Sequence, residues 1–197
     1  MRSGRSWALS LSLGLVLGGC AATPMLPPEL RSQVDYQQRM AAFGEPPLWP
    51  ATAARGYRRR LRLFLFPLTR QQVSIRIDTR ASGESSGHVV RQVWDRDDGW
   101  YVAEDRWFAI QKSDATTLDD TIAESNVWHI YPEFWQIPQG GVCVDGVEIT
   151  IEKTDPAGYR YSEANAQCSA SASMLKLAGQ IVRMARFSDN KVDSWLH

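Results

Sequence analysis

The sequence predicts an α+β domain: an antiparallel sheet of about five or six strands, with helices, including a C-terminal amphipathic one, packed on one face. Three observations predict it. From Leu61 onward, apolar residues alternate with polar ones, the period of a strand with one buried face. The links between these runs are short and rich in Gly, Asp and Pro, which favours antiparallel neighbours over crossover connections. Between Ser171 and Phe187 the apolar period changes to that of a helix.

Each element has its own local reason. Residues 28–43 open near Pro28 and carry Leu30, Val34, Met40 and Phe43, which predicts a helix; Pro46, Pro47 and Pro50 end it. Leu61, Leu63 and Leu65 alternate with Arg60, Arg62 and Phe64 up to Pro67, and Val73, Ile75 and Ile77 alternate with Ser74, Arg76 and Asp78. Residues 88–95 and 100–110 form two further strands around the acidic turn Arg96-Asp97-Asp98-Gly99. A helix is expected over 113–126, opening with Ser113 and Asp114 and carrying Asp119 and Asp120. Residues 127–138 are aromatic-rich and irregular. A hairpin follows, with strands over 147–154 and 159–164 about the turn Asp155-Pro156-Ala157-Gly158, so that Thr154 faces Tyr159. In the last helix Met174, Leu177, Ala178, Ile181 and Ala185 share a face, widened by Leu175 and Val182 and opposed by Lys176, Gln180 and Arg183.

The N-terminus carries the most specific motif. Arg2 and Arg5 precede an apolar run from Trp7 to Leu17, interrupted by Ser10, Ser12 and Gly14 and too short to span a bilayer. It closes on Leu17-Gly18-Gly19-Cys20. This resembles the lipobox of bacterial lipoprotein precursors. The resemblance implies a signal peptide over 1–19, cleavage before Cys20, diacylation of its thiol and palmitate-type acylation of its amine. Residues 20–28 become the lipidated tether, and 29–197 a single periplasmic α+β domain. Two or more acyl chains give stable anchoring. Ala21 stands where lipoproteins retained at the inner membrane often carry Asp, so the resemblance points to the outer membrane, periplasmic side.

Charge and cysteine usage agree with export. Residues 1–19 hold two arginines and no acid, leaving 20 basic and 22 acidic side chains in the mature chain, which argues against a nucleic-acid partner. With Cys20 lipidated, Cys143 and Cys168 remain as a pair in an oxidising compartment. They flank the predicted hairpin, and a bridge at its base is expected to add about 3 kcal/mol in the chain-entropy account. Arg55, Arg58, Arg59, Arg60 and Arg62 form the basic cluster, with two readings: a solvated strand entry, which is favoured, or a contact with lipid headgroups or wall polymer.

The remaining motifs carry less chemistry. Gly83-Glu84-Ser85-Ser86-Gly87 matches G-x-S-x-G, but strands on both sides make it a hairpin loop and not a strand-to-helix elbow. Ser173-Met174-Leu175-Lys176 matches S-x-x-K on a helix without the companion motifs. Asp95, Asp97 and Asp98 lack the twelfth-position Glu of a calcium loop, Arg106 standing there. His88, His129 and His197 lack metal-ligand spacing. Trp94, Trp100, Trp107, Trp128 and Trp135, with Phe108, Tyr131 and Phe134, are expected mainly in strands and core; the alternative is an exposed platform for glycan or protein, with Glu133 and Gln136 nearby. Asp145-Gly146, Glu152 and Gly158-Tyr159 resemble a loose D-G-x-x-W-x-x-E…G-x-Y pattern of uncharacterised bacterial exported proteins, with Ile149 in the tryptophan position. Here Asp145-Gly146 is expected as a turn and Glu152 as an exposed strand residue. The expected function is a non-enzymatic, lipid-anchored envelope protein that binds an envelope protein or wall polymer, without metal or cofactor. The alternatives are an envelope hydrolase using Ser85 or the acids Glu104, Asp105 and Glu133, and a glycan- or small-ligand-binding lipoprotein.

Overall fold

The computed structural model describes residues 36–49, 51–67, 69–129 and 146–187, together with Val192, Trp195 and Leu196. The leader, Cys20, Asp145 and Cys143 lie outside the described residues. Six strands form one antiparallel sheet: β1 (Tyr57–Pro67), β2 (Gln71–Arg80), β3 (Ser85–Asp95), β4 (Gly99–Ala109), β5 (Val147–Asp155) and β6 (Gly158–Asn165). Their order is β4-β3-β2-β1-β5-β6. Among the described residues three α-helices accompany them: α1 (Tyr36–Ala42), α2 (Lys112–Glu124) and α3 (Ala172–Ala185). None of the described helices is long and apolar enough to cross a membrane. Of the helix expected over 28–43, the described part is α1.

Strand alternation sorts the side chains into two faces. Leu61, Leu63 and Leu65 of β1, Val73, Ile75 and Ile77 of β2, Val89 of β3, and Ile149 and Ile151 of β5 are fully buried. They share one cluster with Leu118 and Ile122 of α2 and with Met174, Leu177, Ala178 and Ile181 of α3. Such aliphatic side chains contribute roughly 1.5–3 kcal/mol each on burial, which makes this cluster the main source of stability. Ser171 caps α3 by accepting a bond from the Met174 N–H at 3.1 Å, and the helix ends at Arg186 in the left-handed region, φ 48°. α2 begins differently from expectation. Gln111 is its N-cap, without a side-chain bond, and Ser113 and Asp114 fall inside the first turn.

Turns fix the register. Thr154 faces Tyr159 as the hairpin turn predicts, and the Asp155 carboxylate accepts from the Ala157 N–H at 2.9 Å. At the β3–β4 turn, the Asp95 carboxylate accepts from the Asp97 N–H at 2.8 Å, so these acids shape the turn. β4 is one of the two edge strands, with β6 at the other end, and is mostly exposed. It carries a bulge at Ala103: Arg91 faces Glu104 while the next residue, Gln92, faces Val102. Gly87, the last glycine of the G-x-S-x-G match, lies under the Phe108 ring, which occupies the place where a side chain would stand. That close approach explains the glycine without any catalytic role. Gly87→Ala is therefore expected to displace Phe108 and lower stability by roughly 1–3 kcal/mol, measured by urea denaturation; an unchanged midpoint would contradict this packing.

Candidate functional site

The sheet face that does not carry the aliphatic cluster is built from charge. Direct cross-strand pairing runs a single row across all six strands: Tyr161, Glu152, Arg62, Arg76, His88 and Trp107. The segment from Tyr36 to Trp49 lies over this face as a strap. Met40 and Phe43 of the strap pack on Phe64 and Val90, with Phe66, Tyr159 and Tyr161 around them. Next to this apolar patch the strap sets down Glu45, whose side chain is fully buried.

Glu45 joins two arginines and a histidine from three strands. One carboxylate oxygen accepts from Arg62 at 3.3 Å and from Arg76, and the other meets His88 Nδ1 at 2.5 Å. Arg62 also donates to the Pro46 carbonyl at 2.7 Å, and its Nε donates to Glu152 at 2.7 Å. Tyr159 donates to the second Glu152 oxygen at 2.7 Å. Arg60 holds Asp78 through two bonds of 2.9 and 3.4 Å, and Arg76 Nε reaches the same carboxylate at 3.0 Å. Three guanidiniums thus meet three buried carboxylates, and His88 extends the network outward to Asp105 at 2.8 Å.

These contacts correct two expectations. Glu152, expected as an exposed strand residue, is 0% exposed, and Arg62 of the basic cluster is likewise 0% exposed and not solvated. The physical reason is the strap, which excludes water and supplies the acid that a bare sheet face would lack. The basic cluster divides: Arg60 and Arg62 point into this network, Arg58 and Arg59, at a register shift in β1, both bind Asp119 of α2, and Arg55 is exposed.

Burial alone would raise the Glu45 carboxyl, but the His88 hydrogen bond and the Arg76 and Arg62 charges outweigh it and hold it below the ordinary carboxylate range. The bond to Glu45 raises His88 above its ordinary value; burial opposes this, and the bond to Asp105 adds to it. Glu148, at the rim of the network, is raised by burial and by Glu163, although Arg39 stands 3.4 Å away.

The aromatic stretch also departs from the favoured core reading. Among the described residues, the exposed large hydrophobics are Trp94, Trp100, Tyr101, Val102 and Trp107, all on the β3–β4 hairpin. Among the described strands, none pairs with the outer side of edge strand β4. Trp107 stacks on His88 with ring centroids 4.5 Å apart and planes at 27°, while Trp94 and Trp100 meet edge-on at 5.7 Å. Phe108 and Trp128 do pack against the core. Tyr131, Glu133, Phe134, Trp135 and Gln136 lie outside the described residues.

The other candidates are separated from one another. Ser85 stands on β3 with its hydroxyl 3.0 Å from Thr79 Oγ1. Glu104 binds Arg91 and Arg106. Lys176 reaches Glu124 at 3.4 Å across an open groove of about 440 Å³ between α2 and α3, lined by Asp114, Thr117, Gln180 and Arg183. Among the described residues no group of three His, Cys, Asp or Glu side chains could hold a metal ion. Cys168 is half-buried in the turn after β6. Glu45 was missed altogether by sequence reasoning: it is a lone acid in a proline-bearing segment without periodicity.

Glu45→Ala is expected to destabilise the fold by about 3–5 kcal/mol, because it leaves buried cations without their shared acid. The pH dependence has a definite sign. The Glu45 contribution is present above the ordinary carboxylate pKa and is lost as pH falls through its lowered folded value. The His88 contribution is complete below the ordinary histidine pKa and is lost as pH rises through its raised folded value. Urea titrations across pH should show the alkaline loss disappear in His88→Phe; its persistence there would assign it elsewhere.

Compared with known proteins, the chain matches no family model, no curated protein and no solved structure.

Proposed function

We propose that this protein is a lipid-anchored, non-enzymatic binding protein of the cell envelope and that the β3–β4 hairpin is its binding surface. One observation carries the reading: the large exposed hydrophobics among the described residues gather on that hairpin. Soluble monomers seldom concentrate their exposed apolar area in this way except at an interaction site, and tryptophan and tyrosine are enriched where binding energy concentrates. We read α2 and α3 as covering one face of the sheet, with the strap closing the other, so that the hairpin is the part of the sheet left for a partner. The hydrolase alternative gains nothing from the placement of Ser85, which is bonded to Thr79, or of Glu104, which is held between two arginines.

Anchoring follows from the lipobox-like Leu17-Gly18-Gly19-Cys20, with Cys20 as the lipidated residue and the periplasmic side of the outer membrane as its place. Cys168 is proposed to pair with Cys143. The Ala166 N–H donates to the Val147 carbonyl at 2.8 Å, which keeps the base of the β5–β6 hairpin together up to the turn holding Cys168.

In fractionated envelopes, Cys20→Ser is expected to move the protein out of the membrane fraction; full retention there would refute lipid anchoring. Photo-crosslinkers placed at Tyr101 and Val102 are expected to trap an envelope component that a crosslinker at Lys112 does not. Equal labelling from all three positions would remove the hairpin as the binding surface.

A further inference from the structure

We propose that Trp107 and Asp105 form a sugar-stacking subsite for a neutral, N-acetylated pyranose chain of the kind found in wall glycan. The proposal deepens the reading of the hairpin as the binding surface and rests on it.

The ring geometry comes first. Trp107 lies nearly parallel to His88 at 4.5 Å, and the Arg76 guanidinium carbon is 5.2 Å from its ring centroid. Both neighbours are inward along the same cross-strand row, so the indole leans over the sheet and rests one face on them. The residue nevertheless remains 60% exposed. Its other face is therefore turned to solvent as a flat apolar surface, the shape that the C–H face of a pyranose covers. Trp94 and Trp100 differ, since they meet each other edge-on.

The platform is also held in place. His88 is fixed on both ring nitrogens, by buried Glu45 on one side and by Asp105 on the other. A ring resting on a pinned imidazole loses little freedom when a ligand arrives, which is the condition under which stacking yields affinity. Asp105 precedes Trp107 by two residues on β4 and projects from the same face. Its side chain is 59% exposed, with Oδ1 at His88 Nε2. The second carboxylate oxygen stands beside the platform, ready to accept from a sugar hydroxyl or an acetamido N–H. Binding sites for small polar ligands combine such an apolar surface with a few placed polar groups.

Charge selects among glycans. Beside the ring the exposed charge on the same face of β4 is the carboxylate of Asp105, whereas Glu104 is held by Arg91 and Arg106. That carboxylate disfavours polyphosphate and uronic polymers and favours uncharged chains whose hydroxyl and acetamido groups can donate to it.

The test uses the full-length lipidated protein in detergent, titrated with tetra-N-acetylchitotetraose and followed by calorimetry and tryptophan fluorescence. Wild type is expected to bind it. Trp107→Ala should weaken binding by about tenfold or more, and Trp107→Phe, which keeps a ring, should weaken it less. Asp105→Asn should weaken it measurably, while Lys112→Ala, off the hairpin, should stay within about twofold of wild type, as expected for a position with no shared contacts. No binding by folded wild type at millimolar ligand would overturn the proposal. So would equal affinities in wild type, Trp107→Phe and Trp107→Ala, or a loss in Lys112→Ala as large as in Trp107→Ala. If chitotetraose fails while crosslinkers at Tyr101 and Val102 still trap a protein, the sugar subsite falls and the binding hairpin stands. If both fail, the hairpin reading falls with it.

Discussion

The carboxylate of Glu45 is the interaction on which the charged face depends. Arg62 and Arg76 project from the two central strands and His88 from the third, all into a region closed to water. An unpaired charge in such a place costs several kcal/mol. Glu152 and Asp78 each answer part of that demand from within the sheet, and, among the described residues, Glu45 reaches across from the strap to answer the rest. Met40 and Phe43 press the strap onto Phe64 and Val90, and that attraction is non-directional. The carboxylate adds direction, since a shift of the strap by one residue would remove the acid from Arg62, Arg76 and His88 together.

The two faces of the sheet contribute differently. The aliphatic face supplies burial, and any volume-conserving set of hydrophobic residues would serve it nearly as well. The charged face is a poor way to gain stability: replacing a buried ion cluster by apolar residues of similar shape is often neutral, or stabilising by about 1–4 kcal/mol. Its consequence is positional. The network fixes the strap on the sheet, fixes His88 through the strap, and through His88 fixes the orientation of an exposed tryptophan at the sheet edge. Buried charge is thus coupled to surface geometry by three contacts in series.

The sequence carried the sheet plainly and the site poorly, for one physical reason. Leu61, Leu63 and Leu65 announce a buried face because alternation with arginine is a local signal. The same rule assigns Arg60, Arg62 and Glu152 to water, and it fails because their burial is decided by a segment before β1 that has no period of its own. The turn at Asp155–Gly158 encoded the Thr154–Tyr159 register locally, so that part was legible. Arg62 opposite Glu152, by contrast, becomes visible as a pair only once β1 is known to lie beside β5, across a separation of 90 residues. Whether the tryptophans belonged to the core or to an exposed platform could not be read from the sequence, because aromatic residues favour strands generally and strand propensity does not distinguish an edge from a centre.

An exposed aromatic edge strand is ordinarily a hazard, because its free backbone groups and apolar rings invite another chain to pair with it. β4 blunts that risk in the middle of its length. The bulge at Ala103 breaks the even spacing of backbone donors and acceptors, and Glu104, Asp105 and Arg106 place three charges next to it. Those devices act on the edge, where a strand would add. They leave the ring faces untouched, since Trp107 lies across the sheet and not along its rim. A surface that resists strand addition while presenting a braced indole suits the stacking ligand proposed above, because edge and face are separated: the edge is closed to another strand and the ring face is left open.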